Sequence, residues 1–158
     1  MVGPTPERLR VNLAAVQAEL ATALAAAQRP ASAVTLVAVT KYVPVEIITQ
    51  LYELGVRDFG ERTVQDLAQK RAKLSSLTDA RWHLVGHLQR NKVPLALQVA
   101  SAVHSLDSLR LARELAEQSQ RRALPVPPLY AEVCLTGETA KTGLLLQAVP
   151  ELLAYTVK

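Results

Sequence analysis

Cysteine is nearly absent: Cys134 stands alone in 158 residues. A single thiol closes no intrachain disulfide and builds no thiolate cluster, which removes disulfide-stapled scaffolds and cysteine-rich zinc modules. The alternation in Tyr130-Ala-Glu-Val-Cys-Leu135 puts that thiol on a strand, as a packed core group rather than a nucleophile. Large aromatics are as scarce, with one Trp and one Phe. They do not interleave with the basic clusters Lys70, Arg71 and Lys73 or Arg121 and Arg122, so those clusters read as solvated helical faces. The formal charge of +4 is mild, and without a stacking platform no nucleic-acid partner is expected. No apolar run approaches the roughly 20 residues of a membrane span. The N-terminus is polar and then helical rather than basic and then apolar, unlike a signal peptide. The expectation is a cytoplasmic protein with no membrane partner.

What is present suits one domain covering residues 1–158, since 49% of the chain is hydrophobic. The first thirty residues read as a long helix. Thr5 caps it, Pro6 takes its first position, and Leu9, Leu13, Val16, Leu20 and Leu24 mark one face before Pro30 closes it. Strand and helix then alternate. Strands are expected at 36–39, 57–60, 82–86, 102–106 and 129–135. Helices are expected at 44–54, 63–74, about 88–99, 108–119 and 150–157, with Gly55 stopping the first of these and Asp107 or Ser108 capping the fourth. Five strands each followed by a helix imply right-handed crossovers and a parallel sheet, with the segments after the strands gathered at one end. That end is where such folds bind ligands.

Lys41 holds the most telling position. It ends the apolar run Thr35-Leu-Val-Ala-Val-Thr40, at the C-terminal mouth of the first strand. An ammonium buried beside such a run is costly, so the sequence argument lowers its pKa from the usual value of about 10.4 and frees an amine for Schiff-base chemistry. Further along stand Asp58-Phe-Gly-Glu61, Trp82-His-Leu-Val-Gly-His-Leu-Gln-Arg-Asn-Lys92, His104-Ser-Leu-Asp107 and Thr136-Gly-Glu-Thr-Ala-Lys-Thr-Gly143. Together and in this order, from about Leu36 to Gly143, they resemble the pyridoxal phosphate homeostasis proteins, whose fold is that of the alanine racemase N-terminal domain.

The resemblance implies a TIM (β/α)8-type barrel with an extra N-terminal helix, of which this chain holds about five β/α units. It implies a non-catalytic protein of vitamin B6 and amino-acid homeostasis, monomeric at full length, that holds pyridoxal 5'-phosphate as a Schiff base on Lys41. Arg62, His83, Ser105 and Lys141 are the other candidate cofactor contacts. Two departures stand out. Arg62 occupies the place where the family's Gly-Glu is followed by Asn, and Arg is longer and permanently charged. The chain also stops at Lys158, before a sixth strand and before the family's serine- and glycine-rich phosphate cradle, whereas a complete barrel takes about 250 residues. A fragment of a longer parent is expected, and open strand edges point to self-association of the short chain.

Other chemistries fit less well. His83 and His87 are four apart, but in a strand that spacing spans about 13 Å, and Leu84 stands where H-E-x-x-H needs its glutamate, so no metal is expected. His83 and His104 are expected to brace the interior by hydrogen bonding. The 136–143 loop lacks the G-x-x-x-x-G-K-[ST] order of a nucleotide-binding loop. Two alternatives stay open: an amino-acid racemase or decarboxylase of the same fold, which needs an opposing acid or base, and a cofactor-free interaction module.

Overall fold

The computed structural model describes residues 4–135 and 143–156. Helix α1 (Pro6–Ala26) starts as its sequence dictates: Thr5 is extended, and its hydroxyl oxygen accepts from the Arg8 amide at 3.3 Å. Its apolar stripe is covered only in part. Leu24 is buried and Leu9, Leu13 and Leu20 are half-buried, while Val16 remains 46% exposed.

The alternating pattern then follows as β1 (Ala38–Val39), α2 (Val45–Glu53), β2 (Asp58–Glu61), α3 (Val64–Lys73), β3 (Arg81–Leu84), α4 (Val93–Val99), β4 (Ala102–Leu106), α5 (Leu109–Arg122) and β5 (Leu129–Ala131). Local chemistry sets the boundaries. Gly55, with φ +94°, ends α2 in a conformation that glycine adopts without strain. Thr63 caps α3 by accepting from the Asp66 amide while its own hydroxyl donates to the Asp66 carboxylate at 2.7 Å. The cap is thus a side-chain N-cap, with the Asp66 carboxylate orienting the capping hydroxyl. Ser108, rather than Asp107, caps α5 by accepting from the Leu111 amide.

β1 to β5 form one parallel sheet in sequential order, in the register Ala38↔Phe59↔Trp82 and Val39↔Gly60↔His83↔Ala102. The expected strand at 129–135 is divided. Glu132 donates its N–H to Leu106 O at 3.0 Å and accepts Leu144 N at 2.7 Å, so the chain changes partner at that residue. β6 (Val133–Cys134) then pairs in parallel with β7 (Leu144–Leu145), and α6 (Val149–Thr156) follows. A sixth strand position, expected to be missing, is therefore present as β7. The expected barrel is not closed: among the described residues the sheet remains open, with no pairing between β1 and β7. No described helix is long and apolar enough to cross a membrane.

Parallel strands present alternate residues to opposite faces. Phe59, Trp82, Leu84 and Val103 face the helices and join Ile48, Leu67, Leu111, Leu115 and Leu152 in one buried core. The Phe59 and Trp82 rings lie 5.6 Å apart there. The alternates on the other face are mostly polar, among them Asp58, His83, His104 and Tyr130, which line one cavity. The sheet is thus two-sided, with a dry outer face and a titratable inner one. Leu67, fully buried on α3, is a direct probe of the dry face. Leu67→Ala should lower unfolding stability in urea by about 2–5 kcal/mol.

Candidate functional site

At the C-terminal end of β1 the chain makes a tight turn, closed by the Val43 amide donating to Thr40 O at 2.9 Å. Lys41 and Tyr42 are its central residues, and Tyr42 takes φ +71°. A bulky side chain rarely adopts that conformation, so the turn stores strain. Thr40 is buried and tied down at three atoms. Its N–H donates to Gly60 O at 2.8 Å, its carbonyl accepts Lys70 Nζ at 2.8 Å, and its hydroxyl donates to Glu61 Oε1 at 2.5 Å. Lys70 Nζ also donates to that same Glu61 oxygen at 2.8 Å. Glu61 is fully buried and the Lys70 side chain only 14% exposed, so the pair is shielded from solvent screening.

The reading of Lys70 as part of a solvated basic face is therefore wrong. It reaches inward from α3 and clamps the residue before Lys41. Arg71, beside it, donates to Val99 O at 2.6 Å and ties α3 to the end of α4. The burial expected for Lys41 is also absent. The clamp holds its backbone, but its side chain is exposed, because β1 lies at the open edge of the sheet.

Register places Lys41 opposite Arg62, two residues beyond the Val39↔Gly60 pair. The two cations share one aromatic neighbour: Lys41 Nζ is 5.9 Å and Arg62 Cζ 5.8 Å from the Tyr42 ring centroid. Both distances fall within the reach of a cation–π contact. Neither side chain has an ion pair among the described residues. Gly86 permits the close packing against Arg62, since any Cβ there would sit 2.2 Å from Arg62 O.

The other expected contacts are spread out. His83 lies on the row of Gly60, one side-chain layer below Lys41 and Arg62. Its ring is part of a chain of hydrogen bonds: Arg81 grips both Asp58 oxygens, Asp58 Oδ1 meets His83 Nε2 at 2.9 Å, and His83 Nδ1 meets His104 Nε2 at 2.9 Å. Tyr130 stacks on His104 with centroids 4.5 Å apart. The contact between the two imidazoles joins His83 Nδ1 to His104 Nε2, with its direction set by their tautomers. The bracing expected of both histidines is present. Burial raises the Asp58 carboxyl pKa, but the hydrogen bonds from Arg81 and His83 outweigh it and hold the group below the usual carboxylate range. Burial first, and the neighbouring His83 second, push His104 below the usual histidine value.

Ser105 is 1% exposed with no hydrogen-bond partner for its hydroxyl among the described residues, and it alternates away from the His104 cavity. Lys141 and most of its loop lie outside the described residues. Sequence reasoning missed three contributors. Lys70 and Glu61 carry a readable signal, because they fall nine residues apart at a strand end and on the following helix. Tyr42 carries none, because its role comes from a turn that places it between two cations.

No family model matches the chain. Among curated proteins it is 37% identical over 143 residues to the pyridoxal phosphate homeostasis protein of Pseudomonas aeruginosa, covering 89% of this chain and 60% of that protein. It is 33% identical over 147 residues to the protein of the same name from Escherichia coli K12, covering 90% and 62%. The chain thus spans about three fifths of the length of these relatives. Among solved structures, PipY of Synechococcus elongatus superposes with TM-score 0.75 at 33% identity without PLP, covering 91% of this chain and 64% of PipY. With PLP bound, PipY gives TM-score 0.73 at 32% identity, covering 91% and 63%.

Two outcomes follow from the geometry. Lys70→Met strands a buried Glu61 carboxylate and should cost about 3–5 kcal/mol in urea unfolding, whereas the Glu61→Gln/Lys70→Met double variant should recover part of that loss. His104 has a folded pKa below its unfolded one, so its contribution to stability is complete above about pH 6.5 and is lost as pH falls below that value. The urea midpoint should therefore drop between about pH 7.5 and pH 5.5, and the drop should be smaller in His104→Gln.

Proposed function

We propose that this chain, related by sequence and fold to the pyridoxal phosphate homeostasis proteins, binds pyridoxal 5'-phosphate through Lys41 and serves cofactor homeostasis in the cytoplasm without catalysing a reaction of its own. The fold we propose for the whole protein is the TIM-type barrel, with the described sheet as part of its wall. The observation that carries the reading is the placement of Lys41: an exposed primary amine, free of any ion pair among the described residues, on a turn clamped at the mouth of a parallel sheet. The donor set fits the cofactor, since an amine and a guanidinium stand together with no carboxylate paired to either among the described residues.

Pyridoxal phosphate would supply an aldehyde at this site, and Lys41 would hold it through its amine. The chain's residues supply position. Thr40, Glu61 and Lys70 fix where the Lys41 backbone leaves the sheet, and the Tyr42 ring lies 5.9 Å from the Lys41 ammonium. The deeper layer of Asp58, His83 and His104 braces the wall beneath.

The non-catalytic reading rests on the groups recorded beside the amine. Tyr42 belongs to Lys41's own turn, and Arg62 is a guanidinium that does not exchange protons near neutrality. Neither is the opposing acid or base that racemisation or decarboxylation needs. Both relatives named above carry homeostasis names rather than enzyme names.

The test is an absorbance titration of the purified chain with pyridoxal phosphate, followed by borohydride reduction and peptide mass mapping. The expected result is a yellow band and a reduced adduct on Lys41, both lost in Lys41→Ala. An adduct spread over several lysines, or unchanged in Lys41→Ala, would overturn the assignment, and steady turnover of an amino acid would favour the enzyme.

A further inference from the structure

Arg62 stands beside Lys41 at the strand mouth with no ion pair among the described residues. A guanidinium is an obligate donor with five N–H groups and matches planar anions two bonds at a time. On this chain its backbone packs closely against Gly86, where no side chain would fit, and its charge lies near the ring that Lys41 also meets. Beyond it opens a cleft of about 650 Å3, lined by Arg62, Thr63, Gln65, His87, Gln89 and Lys92 among others. The one carboxylate in that lining, Asp66, is taken up by the Thr63 hydroxyl in the helix cap. Across the cleft His87 Nδ1 meets Asp107 Oδ2 at 2.9 Å, which fixes the imidazole. Arg62 and Lys92 outnumber the one carboxylate, Asp66, in this lining, so the described cleft carries an excess of positive charge that suits an anion.

We propose that Arg62 is the anion receptor of this site, taking the carboxylate or phosphate of the small carbonyl compound or amine that meets Lys41, with Lys92 lining the same cleft. The inference rests on Lys41 as the reacting amine, yet its anion contact stands without the covalent bond. It makes Arg62 a specificity-determining residue. An asparagine in its place offers a short neutral amide, which donates two N–H bonds and no charge.

The experiment compares the chain with Arg62→Asn and Arg62→Lys, each shown to be folded by circular dichroism. Binding of inorganic phosphate and of acetate is measured by calorimetry on the Lys41→Ala background. Pyridoxal phosphate and phosphate-free pyridoxal are titrated against chains that retain Lys41. A charge-assisted contact is worth about 1.5–3 kcal/mol, or roughly 10- to 150-fold in affinity. If the anion is a phosphate, Arg62→Asn should weaken inorganic phosphate and pyridoxal phosphate by at least about tenfold, leave pyridoxal unchanged, and be only partly rescued by Arg62→Lys. If it is a carboxylate, acetate weakens instead. In that case glycine should also need at least about a tenfold higher concentration to release the cofactor from Arg62→Asn, while methylamine is unaffected.

Equal binding of all these probes by Arg62→Asn and the parent chain would overturn the proposal and leave Arg62 as a cation resting on Tyr42. A lysine that never takes up pyridoxal phosphate, together with phosphate binding that still depends on Arg62, would overturn the cofactor reading and uphold the receptor.

Discussion

The buried contact between Glu61, Lys70 and Thr40 is the constraint on which the site depends. A carboxylate with no exposed surface is tolerated only when it is paired and hydrogen-bonded. Here it is paired, with Lys70 Nζ and the Thr40 hydroxyl on one oxygen. The same ammonium holds the Thr40 carbonyl, so one charge joins β1, β2 and α3 at a single point. Hydrophobic burial does not specify where a strand end stops to within an ångström, because it is non-directional. A charge-assisted hydrogen bond does, and this one acts on the residue before Lys41.

Of the candidate site residues, Lys41, Arg62 and His83 lie on the inner side of the sheet that this anchor ties together. On the outer face of the sheet, Phe59, Trp82, Leu84 and Val103 bury apolar area against α3, α4 and α5. On the inner face, polarity is graded along the strands. The lower layer is a closed hydrogen-bond chain from Arg81 through Asp58 and His83 to His104, which gives that face a rigid and neutralised floor. The upper layer, Lys41 and Arg62, carries two charges with no acidic partner among the described residues. A floor whose charges are paired thus lies beneath a mouth whose two cations have no ion pair among the described residues. The glycines at the mouth serve this layering: Gly60 leaves room for Val37, Val39 and Val85, and Gly86 lets β3 press against the Arg62 backbone.

Much of this was legible in the chain before its structure. Thr5, Thr63 and Ser108 marked helix starts, because a side-chain oxygen beside an apolar-periodic run satisfies a backbone donor that nothing else will. The parallel sheet followed from the alternation of elements, and β4 was read to the residue. The misreadings share one cause. Lys70 looked solvated because charges on a helix usually are, and only the buried Glu61 opposite it draws it in. The 129–135 segment looked like one strand because the alternation runs through it, while Glu132 exchanges one neighbour for another. Lys41 looked buried because the run before it is apolar, and an edge strand leaves it in solvent.

The sequence by itself determined the local events: where helices begin and stop, which residues are apolar at which period, and which lysine stands at the first strand's mouth. These depend on neighbours a few positions away, and the caps and periods that govern them are short-range. The tertiary structure decided which charges meet. Whether Lys70 finds Glu61, whether Arg62 shares a ring with Lys41, and whether His83 reaches His104 depend on strand register and on a residue's distance from the sheet edge. Those quantities are set when elements twenty or more positions apart pack together, and no short window of residues contains them.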